Sequence, residues 1–130
     1  MAFRKLVCKS PAEFSSSVKE AREVVGEGGK VFLLFTGAIK PETGKSWCGD
    51  CTRAEPVINK VMEETKDSVL VECIVERAEY REKTFEYRTD NKILLSCVPT
   101  LMNWKNPKIR LDDSQSSDEE LVRELLLEEE

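Results

Sequence analysis

The order of hydrophobic patterns along this 130-residue chain predicts an α/β fold, a three-layer α/β/α sandwich around a mixed central sheet. Two continuous apolar runs bounded by turn residues, at 30–37 and 68–75, are typical of strands that are covered on both faces. Helical patterns alternate with them, which indicates parallel pairing. Two later strand-like segments, at 97–104 and 108–111, predict an antiparallel edge. The predicted element order is therefore β-α-β-α-β-α-β-β-α.

The first quarter of the chain carries two predicted strands and one predicted helix. The segment 3–8 is a short candidate strand. Ser10, Pro11 and Glu13 form a capping-box pattern, which predicts that the first helix begins at Pro11. The glycine-rich stretch 26–29 ends this helix, and the second strand follows.

The rest of the chain carries three further predicted helices. One extends from about residue 50 to residue 66, directly after the cysteine motif discussed below, and residues 79–91 predict another, more polar helix. The two late strands are expected to meet in a turn around 106–107. Ser117 and Glu120 form a second capping-box pattern that predicts the start of the last helix.

Length and composition predict a single domain over residues 1–130. The net charge of −5 and the pI near 5.0 argue against nucleic acids and anionic membranes as partners. The N-terminal residues carry a charge every few positions, unlike a signal peptide, and the longest apolar run, 31–35, is too short to cross a bilayer. We therefore expect a cytosolic monomer in which any disulfide among the five cysteines is transient and catalytic.

The stretch GKSWCGDCTRAEP, residues 44–56, places two cysteines three positions apart at the predicted start of a helix. Sites in open α/β sheets form beyond the carboxyl ends of strands, where this motif lies. The free N–H groups and the dipole of a helix N-terminus favour the thiolate form of Cys48, whereas Cys51, one turn later, is expected to be more buried. We predict that Cys48 attacks a substrate disulfide and that Cys51 resolves the mixed disulfide.

The two residues between the cysteines are expected to tune this pair. Gly49 allows a tight turn and leaves the reduced loop flexible. Asp50 suits a helix N-terminus but opposes a nearby thiolate, and alternatively it passes a proton to or from Cys51.

A proline at the start of a strand, as at Pro99, is unusual unless its peptide bond is cis or the strand is an edge. If that bond is cis and faces the cysteines, the backbone of Val98 is placed to pair with an extended substrate.

The tryptophan directly before the CxxC motif, the proline five residues after it and the Val-Pro-Thr segment at 98–100 resemble the thioredoxin family. Within that family, the chain is similar over nearly its whole length to the branch of thioredoxin domain-containing protein 17. The segments that carry this resemblance are FTG, GKSWC, DC and AEPV, followed by VPTL. The resemblance implies the thioredoxin fold and a cytosolic disulfide reductase with no bound cofactor. Its electrons would come from NADPH through thioredoxin reductase, and its substrates would be small or selected disulfides such as cystine.

The resemblance also implies roles for individual residues. Cys48 is the nucleophile and Cys51 the resolving thiol, and the substrate-binding residues are Trp47, as an aromatic shoulder, together with Val98, the cis-proline Pro99 and Thr100. Three departures from the family pattern stand out. Gly49 replaces a proline. The segment after the third strand lacks the expected Gly and Pro-Tyr-Trp and keeps only Tyr80. Leu34 stands where thioredoxin has a buried aspartate, and the loop before the cysteines is longer than in thioredoxin.

Several alternatives remain open at this point. The two cysteines would form half of a zinc site if Cys73 and Cys97 completed it, although that spacing is atypical and the chain has no histidine. The pair would be incidental in a binding module, and a glutathione-coupled oxidoreductase would use the same chemistry. Cys73 fits a strand core, and Cys8 either fits one as well or is exposed near the chain terminus. Cys97 fits the core as well, or it is a thiol open to glutathionylation or to linkage of two chains.

Overall fold

The computed structural model describes residues 4–128, and a five-stranded sheet forms its centre. In chain order the elements are β1 (Arg4–Cys8), α1 (Phe14–Val25), β2 (Lys30–Gly37), β3 (Ile39–Lys40), β4 (Lys45–Ser46), α2 (Gly49–Met62), β5 (Ser68–Val75), α3 (Arg77–Tyr80), α4 (Glu86–Thr89), β6 (Thr100–Asn103), β7 (Asn106–Leu111) and α5 (Glu119–Leu127). The sheet order is β1-β5-β2-β6-β7; the first three strands are parallel, and β6 and β7 are antiparallel to their neighbours. The predicted mixed α/β sheet is confirmed.

The sheet separates two hydrophobic cores, one on each of its faces, and strand β2 contributes side chains to both. Leu33 and Phe35 belong to the core on the α1 side, whereas Phe32 and Leu34 belong to the core under α2 and α5. This alternation follows from the two-residue period of a strand. Because helices cover both faces, residues 31–37 are all buried, as their continuous apolar run predicts.

The helix boundaries differ from prediction where two capping patterns are not used. Ser10 makes no side-chain cap: residues 11–13 form a 3-10 turn, and α1 begins at Phe14. At the last helix the cap is Asp118, whose Oδ1 accepts from the amides of Glu120 and Leu121, so the Ser117 prediction is wrong by one residue. Adjacent serine and aspartate side chains both suit a cap, and the backbone conformation selects one of them.

The middle of the chain departs further from the predicted pattern. Helix α2 ends at Met62 instead of residue 66, and Asp67, with a φ of 48°, turns the chain into β5. The predicted helix at 79–91 is replaced by the single-turn helices α3 and α4. The late strands turn at 104–105, before the predicted turn, because β7 already begins at Asn106.

The loop before the cysteines contains a two-stranded hairpin, β3–β4, that the sequence did not predict. The first predicted strand begins at Arg4 among the described residues, and Phe3 lies outside them. Within residues 4–128, no helix combines the length and the apolar character that a membrane span requires.

Candidate active site

Cys48 caps the N-terminus of α2 at the carboxyl end of β2. Its backbone is extended, with φ −107° and ψ 111°, and its Sγ accepts a hydrogen bond from the Cys51 amide at 3.2 Å. Ser46 fixes the approach to the helix, because its Oγ donates to the Gly37 carbonyl at 2.8 Å and accepts from the Cys48 amide at 3.1 Å. The nucleophile predicted from the sequence therefore lies at a helix N-terminus, held against the end of the buried strand.

The two sulfurs of the motif lie 2.6 Å apart, and Cys51 Sγ donates to Cys48 Sγ. Cys51 is 2% exposed and Cys48 is 8% exposed, so the predicted order of burial is confirmed. Burial, and then the hydrogen bond to Cys48, raise the pKa of Cys51 to about 12, while the Gly37 amide, 3.3 Å from its sulfur, acts in the opposite direction. Cys51 is therefore a thiol at neutral pH.

The cis-proline loop lies against the first cysteine. The Val98–Pro99 peptide bond is cis, as the resemblance implies, and Cys48 Sγ donates to the Val98 carbonyl at 3.4 Å. Thr100 is 2% exposed, and its hydroxyl donates to the Cys97 carbonyl at 2.7 Å, across the proline. In this position Thr100 shapes the turn that presents Val98 to the cysteine pair.

Trp47 forms one wall beside the motif. Its Nε1 donates to the Val75 carbonyl at 2.9 Å, and its ring centroid lies 5.3 Å from that of Tyr80. Both aromatic residues are half-buried, so they pack on the core cluster and still present surface to solvent. This arrangement fits the aromatic shoulder, and contact with a substrate stays a prediction.

Asp50 and Arg53 form an ion pair on the outer side of the first turn of α2. Their side chains are 44% and 65% exposed, respectively. The Asp50 carboxylate is thus paired with the Arg53 guanidinium in this structure. Proton transfer between Asp50 and Cys51 stays a prediction. Within the described part of the chain, no three cysteine, aspartate or glutamate side chains are grouped so as to hold a metal ion.

Gly49 occupies the first helical position, and we expect Gly49→Pro to stabilise the protein. A proline is favoured there, and the extended Cys48 backbone is the conformation that a following proline requires. A Cβ at this position meets only the Arg53 guanidinium, at an ordinary 3.5 Å. Because proline restricts the unfolded chain, the free energy of unfolding of the reduced protein should rise by about 0.4–1 kcal/mol in urea titrations. Destabilisation of the protein by Gly49→Pro would contradict this account.

Sequence reasoning missed two arginines that hold the segment before the cis-proline. Arg88 donates to three main-chain carbonyls, those of Tyr80, Leu95 and Ser96, and lies 4.4 Å from the centroid of the Tyr80 ring. Arg110 reaches the same segment from β7 and donates to the Ile93 carbonyl at 2.7 Å. These contacts join parts of the chain that local sequence patterns do not connect.

The sequence of this chain is similar to those of known proteins over most of its length. A sequence model of the family described as thioredoxin domain-containing protein 17-like, thioredoxin domain, matches residues 8–129. The thioredoxin-like protein Clot of Arabidopsis thaliana is 36% identical over 127 residues, which are 94% of this chain and 95% of that protein. Thioredoxin domain-containing protein 17 of Mus musculus is 34% identical over 119 residues, 90% of this chain and 89% of that protein.

Among solved structures, oxidized thioredoxin O2 of Arabidopsis thaliana is 28% identical with a TM-score of 0.48 and covers 76% of this chain and 71% of that chain. The family match spans the cysteine pair and the cis-proline loop.

Proposed function

Because this chain belongs to the thioredoxin domain-containing protein 17-like family, we propose that it is a cytosolic disulfide reductase that works through Cys48 and Cys51. Family membership supports a thiol–disulfide oxidoreductase in general. The observation that carries the proposal is the 2.6 Å distance between the two sulfurs at the N-terminus of α2. A disulfide bond is about 2.05 Å long, so when a substrate disulfide accepts two electrons from the pair, only a small side-chain movement is needed to form the Cys48–Cys51 disulfide.

The reaction has two exchange steps. The Cys48 thiolate attacks one sulfur of the substrate disulfide, which breaks that bond, forms a mixed disulfide and releases the first thiol. Cys51 then loses its proton and attacks the Cys48 sulfur, which releases the second thiol and leaves the Cys48–Cys51 disulfide. The Cys51 amide, 3.2 Å from Cys48 Sγ, supports negative charge on that sulfur before the attack and whenever it is the leaving group.

Substrate would lie between the cis-proline loop and the aromatic wall. The Val98 carbonyl is already within hydrogen-bond distance of Cys48 Sγ, so a disulfide bound to that sulfur would adjoin the Val98 backbone. Trp47, with Tyr80 behind it, would form the opposite side. We propose small or selected disulfides, such as cystine, as substrates.

Turnover requires that the Cys48–Cys51 disulfide is reduced again. We propose that NADPH supplies the electrons through thioredoxin reductase and that the chain itself holds no cofactor. Leu34 stands at the position where thioredoxin has a buried aspartate, and here it is 2% exposed and packs under α2. The proton of Cys51 is therefore transferred to solvent or to Asp50. A monomer is sufficient for this chemistry.

The proposed function is tested by NADPH oxidation in the presence of thioredoxin reductase and cystine. We expect turnover in the wild type and in Cys97→Ser, and none above background in Cys48→Ser. The same three proteins with glutathione and glutathione reductase would separate the two electron donors. Equal turnover in Cys48→Ser would overturn the role of Cys48. No turnover in the wild type would overturn the proposal and favour a binding module, while activity with glutathione alone would favour a glutathione-coupled oxidoreductase.

The raised pKa of Cys51 predicts how the second exchange step depends on pH. Below a pKa of about 12, the thiolate fraction of Cys51 rises with pH, so resolution should accelerate by about tenfold per pH unit between pH 6 and 9. Stopped-flow absorbance with an aromatic disulfide that releases a coloured thiol measures this rate, because resolution by Cys51 gives the second phase of colour release. A pH-independent second phase that acquires a pH dependence in Asp50→Asn would show instead that Asp50 takes the proton.

A further inference from the structure

Cys8 and Cys73 are direct partners in adjacent strands. Strand β1 pairs in parallel with β5, and the register aligns these two residues. Residues paired in this way point to the same face of a sheet, and both side chains are fully buried in the core on the α1 side. Neither thiol takes part in the chemistry proposed for the Cys48–Cys51 pair.

The spacing of this pair suits a disulfide. Neighbouring strands lie about 4.8 Å apart, which falls within the range of about 4.4–6.8 Å between the Cα atoms of disulfide-bonded cysteines. Cys8 Sγ donates to the Ser10 carbonyl at 3.2 Å, and the Tyr87 hydroxyl lies 3.5 Å from the same sulfur. Bond formation therefore needs movement of the side chains and little movement of the backbone.

The environment makes the two thiols unequal. The neighbouring Cys73 thiol, and to a smaller extent the Tyr87 hydroxyl, lower the pKa of Cys8 to about 6 although burial opposes this shift. Burial raises the pKa of Cys73. Cys8 is therefore the better nucleophile and Cys73 the proton-bearing partner, the same division of roles as at a reactive dithiol.

We propose that Cys8 and Cys73 form a second dithiol, which a small organic disulfide oxidises to a disulfide bond between β1 and β5. The Cys8 thiolate attacks one sulfur of the organic disulfide, breaks its S–S bond and releases one thiolate. Cys73 then attacks the Cys8 sulfur and displaces the second thiolate. Two electrons pass from the cysteine pair to the organic disulfide. The Cys73 proton ends on one released thiolate, and solvent supplies the proton of the other, in place of the one that Cys8 gave up on ionising.

Access to the buried pair depends on β1. Among residues 4–128 this strand is at the edge of the sheet and pairs with β5 alone, and its Val7, beside Cys8, is 50% exposed. Opening of a short edge strand is a local event that needs no global unfolding. Oxidation of the second pair should therefore be slower than that of Cys48 and Cys51, and sub-denaturing urea should accelerate it.

Peptide mapping of the full chain tests the proposal. The reduced protein is incubated with cystamine, the disulfide of a small aminothiol, then alkylated and digested with trypsin. Cys8 and Cys73 fall in the peptides 6–9 and 67–77, whereas Cys48 and Cys51 share the peptide 46–53, so the two disulfides are distinguished in one digest. We expect peptides 6–9 and 67–77 to be recovered as one species that has lost two hydrogens. Full alkylation of both cysteines, or cystamine adducts without linkage, would overturn the proposal.

Two variants separate this pair from the catalytic one. Cys48→Ser/Cys51→Ser should still form the Cys8–Cys73 link, so loss of the proposed reductase activity and loss of this link are independent results. Tyr87→Phe removes one hydrogen bond to Cys8 and keeps the ring packing, and we expect linkage about tenfold slower with unchanged oxidation of peptide 46–53. An equal slowing in the matched variant Cys97→Ser would contradict the assignment to Tyr87.

Discussion

Replacing Cys51 with serine is expected to stop turnover and to leave half of the substrate covalently bound to Cys48. The first exchange step needs only Cys48, a residue that is 8% exposed and whose sulfur lies beside the cis-proline loop. The second step needs a thiol at Cys51, the only sulfur that the structure places 2.6 Å from Cys48 among the described residues. Turnover should fall by more than about a thousandfold, because the intermediate has no resolving group.

Intact mass spectrometry after brief exposure to cystine measures this outcome. Cys51→Ser should carry one half-cystine per chain, and reduction should remove it. Cys48→Ser provides the control, since it should remain unmodified at the motif. If Cys51→Ser turned over at the wild-type rate, or if the adduct lay on another cysteine, the assignment of the resolving thiol would be wrong.

Gly37→Ala is expected to have the second largest effect, through the packing of the motif. A Cβ at Gly37 would lie 2.8 Å from Ser46 Oγ, 2.8 Å from Trp47 Cε2 and 3.0 Å from Cys48 Cβ. Distances this short force the hairpin strand β4, the tryptophan or the nucleophile to move. Overpacking of this kind costs about 1–3 kcal/mol of stability.

We therefore expect Gly37→Ala to lower the free energy of unfolding by that amount and to reduce turnover at least several-fold at a temperature where the variant is folded. Urea titration and the coupled NADPH assay measure the two effects separately. Gly49→Ala is the matched control, because a Cβ there makes only an ordinary contact. Wild-type stability and activity in Gly37→Ala would contradict the packing described for the site.

The parts of the fold that the sequence predicted are those with a local, repetitive signal. Strands β2 and β5 are eight-residue runs, largely buried on both faces, and such runs have few alternative structures. The cysteine motif was also placed correctly, because its position after a buried strand and before an amphipathic stretch defines a helix N-terminus. Cys48, Cys51 and the cis-proline loop thus meet as the pattern indicates.

The features that were missed depend on pairing across the chain. The hairpin of β3 and β4 has two residues in each strand, too few for any periodicity. Arg88 and Arg110 donate hydrogen bonds to main-chain carbonyls of the segment before Pro99. In the sequence, an arginine in a polar stretch does not indicate such contacts. The contact between Cys8 and Cys73 follows from the register of β1 on β5, which becomes visible only in the structure.

A redox titration tests the central claim, that Cys48 and Cys51 are a reversible dithiol, most directly. The protein is equilibrated with mixtures of oxidised and reduced dithiothreitol and glutathione, quenched by acid and alkylation, and the peptide 46–53 is quantified. We expect a two-electron transition between this peptide's dithiol and disulfide forms at about −270 to −200 mV, the range of thioredoxins and glutaredoxins. A peptide that stays fully alkylated through the whole series, or cysteines of this motif linked to other positions, would contradict the account.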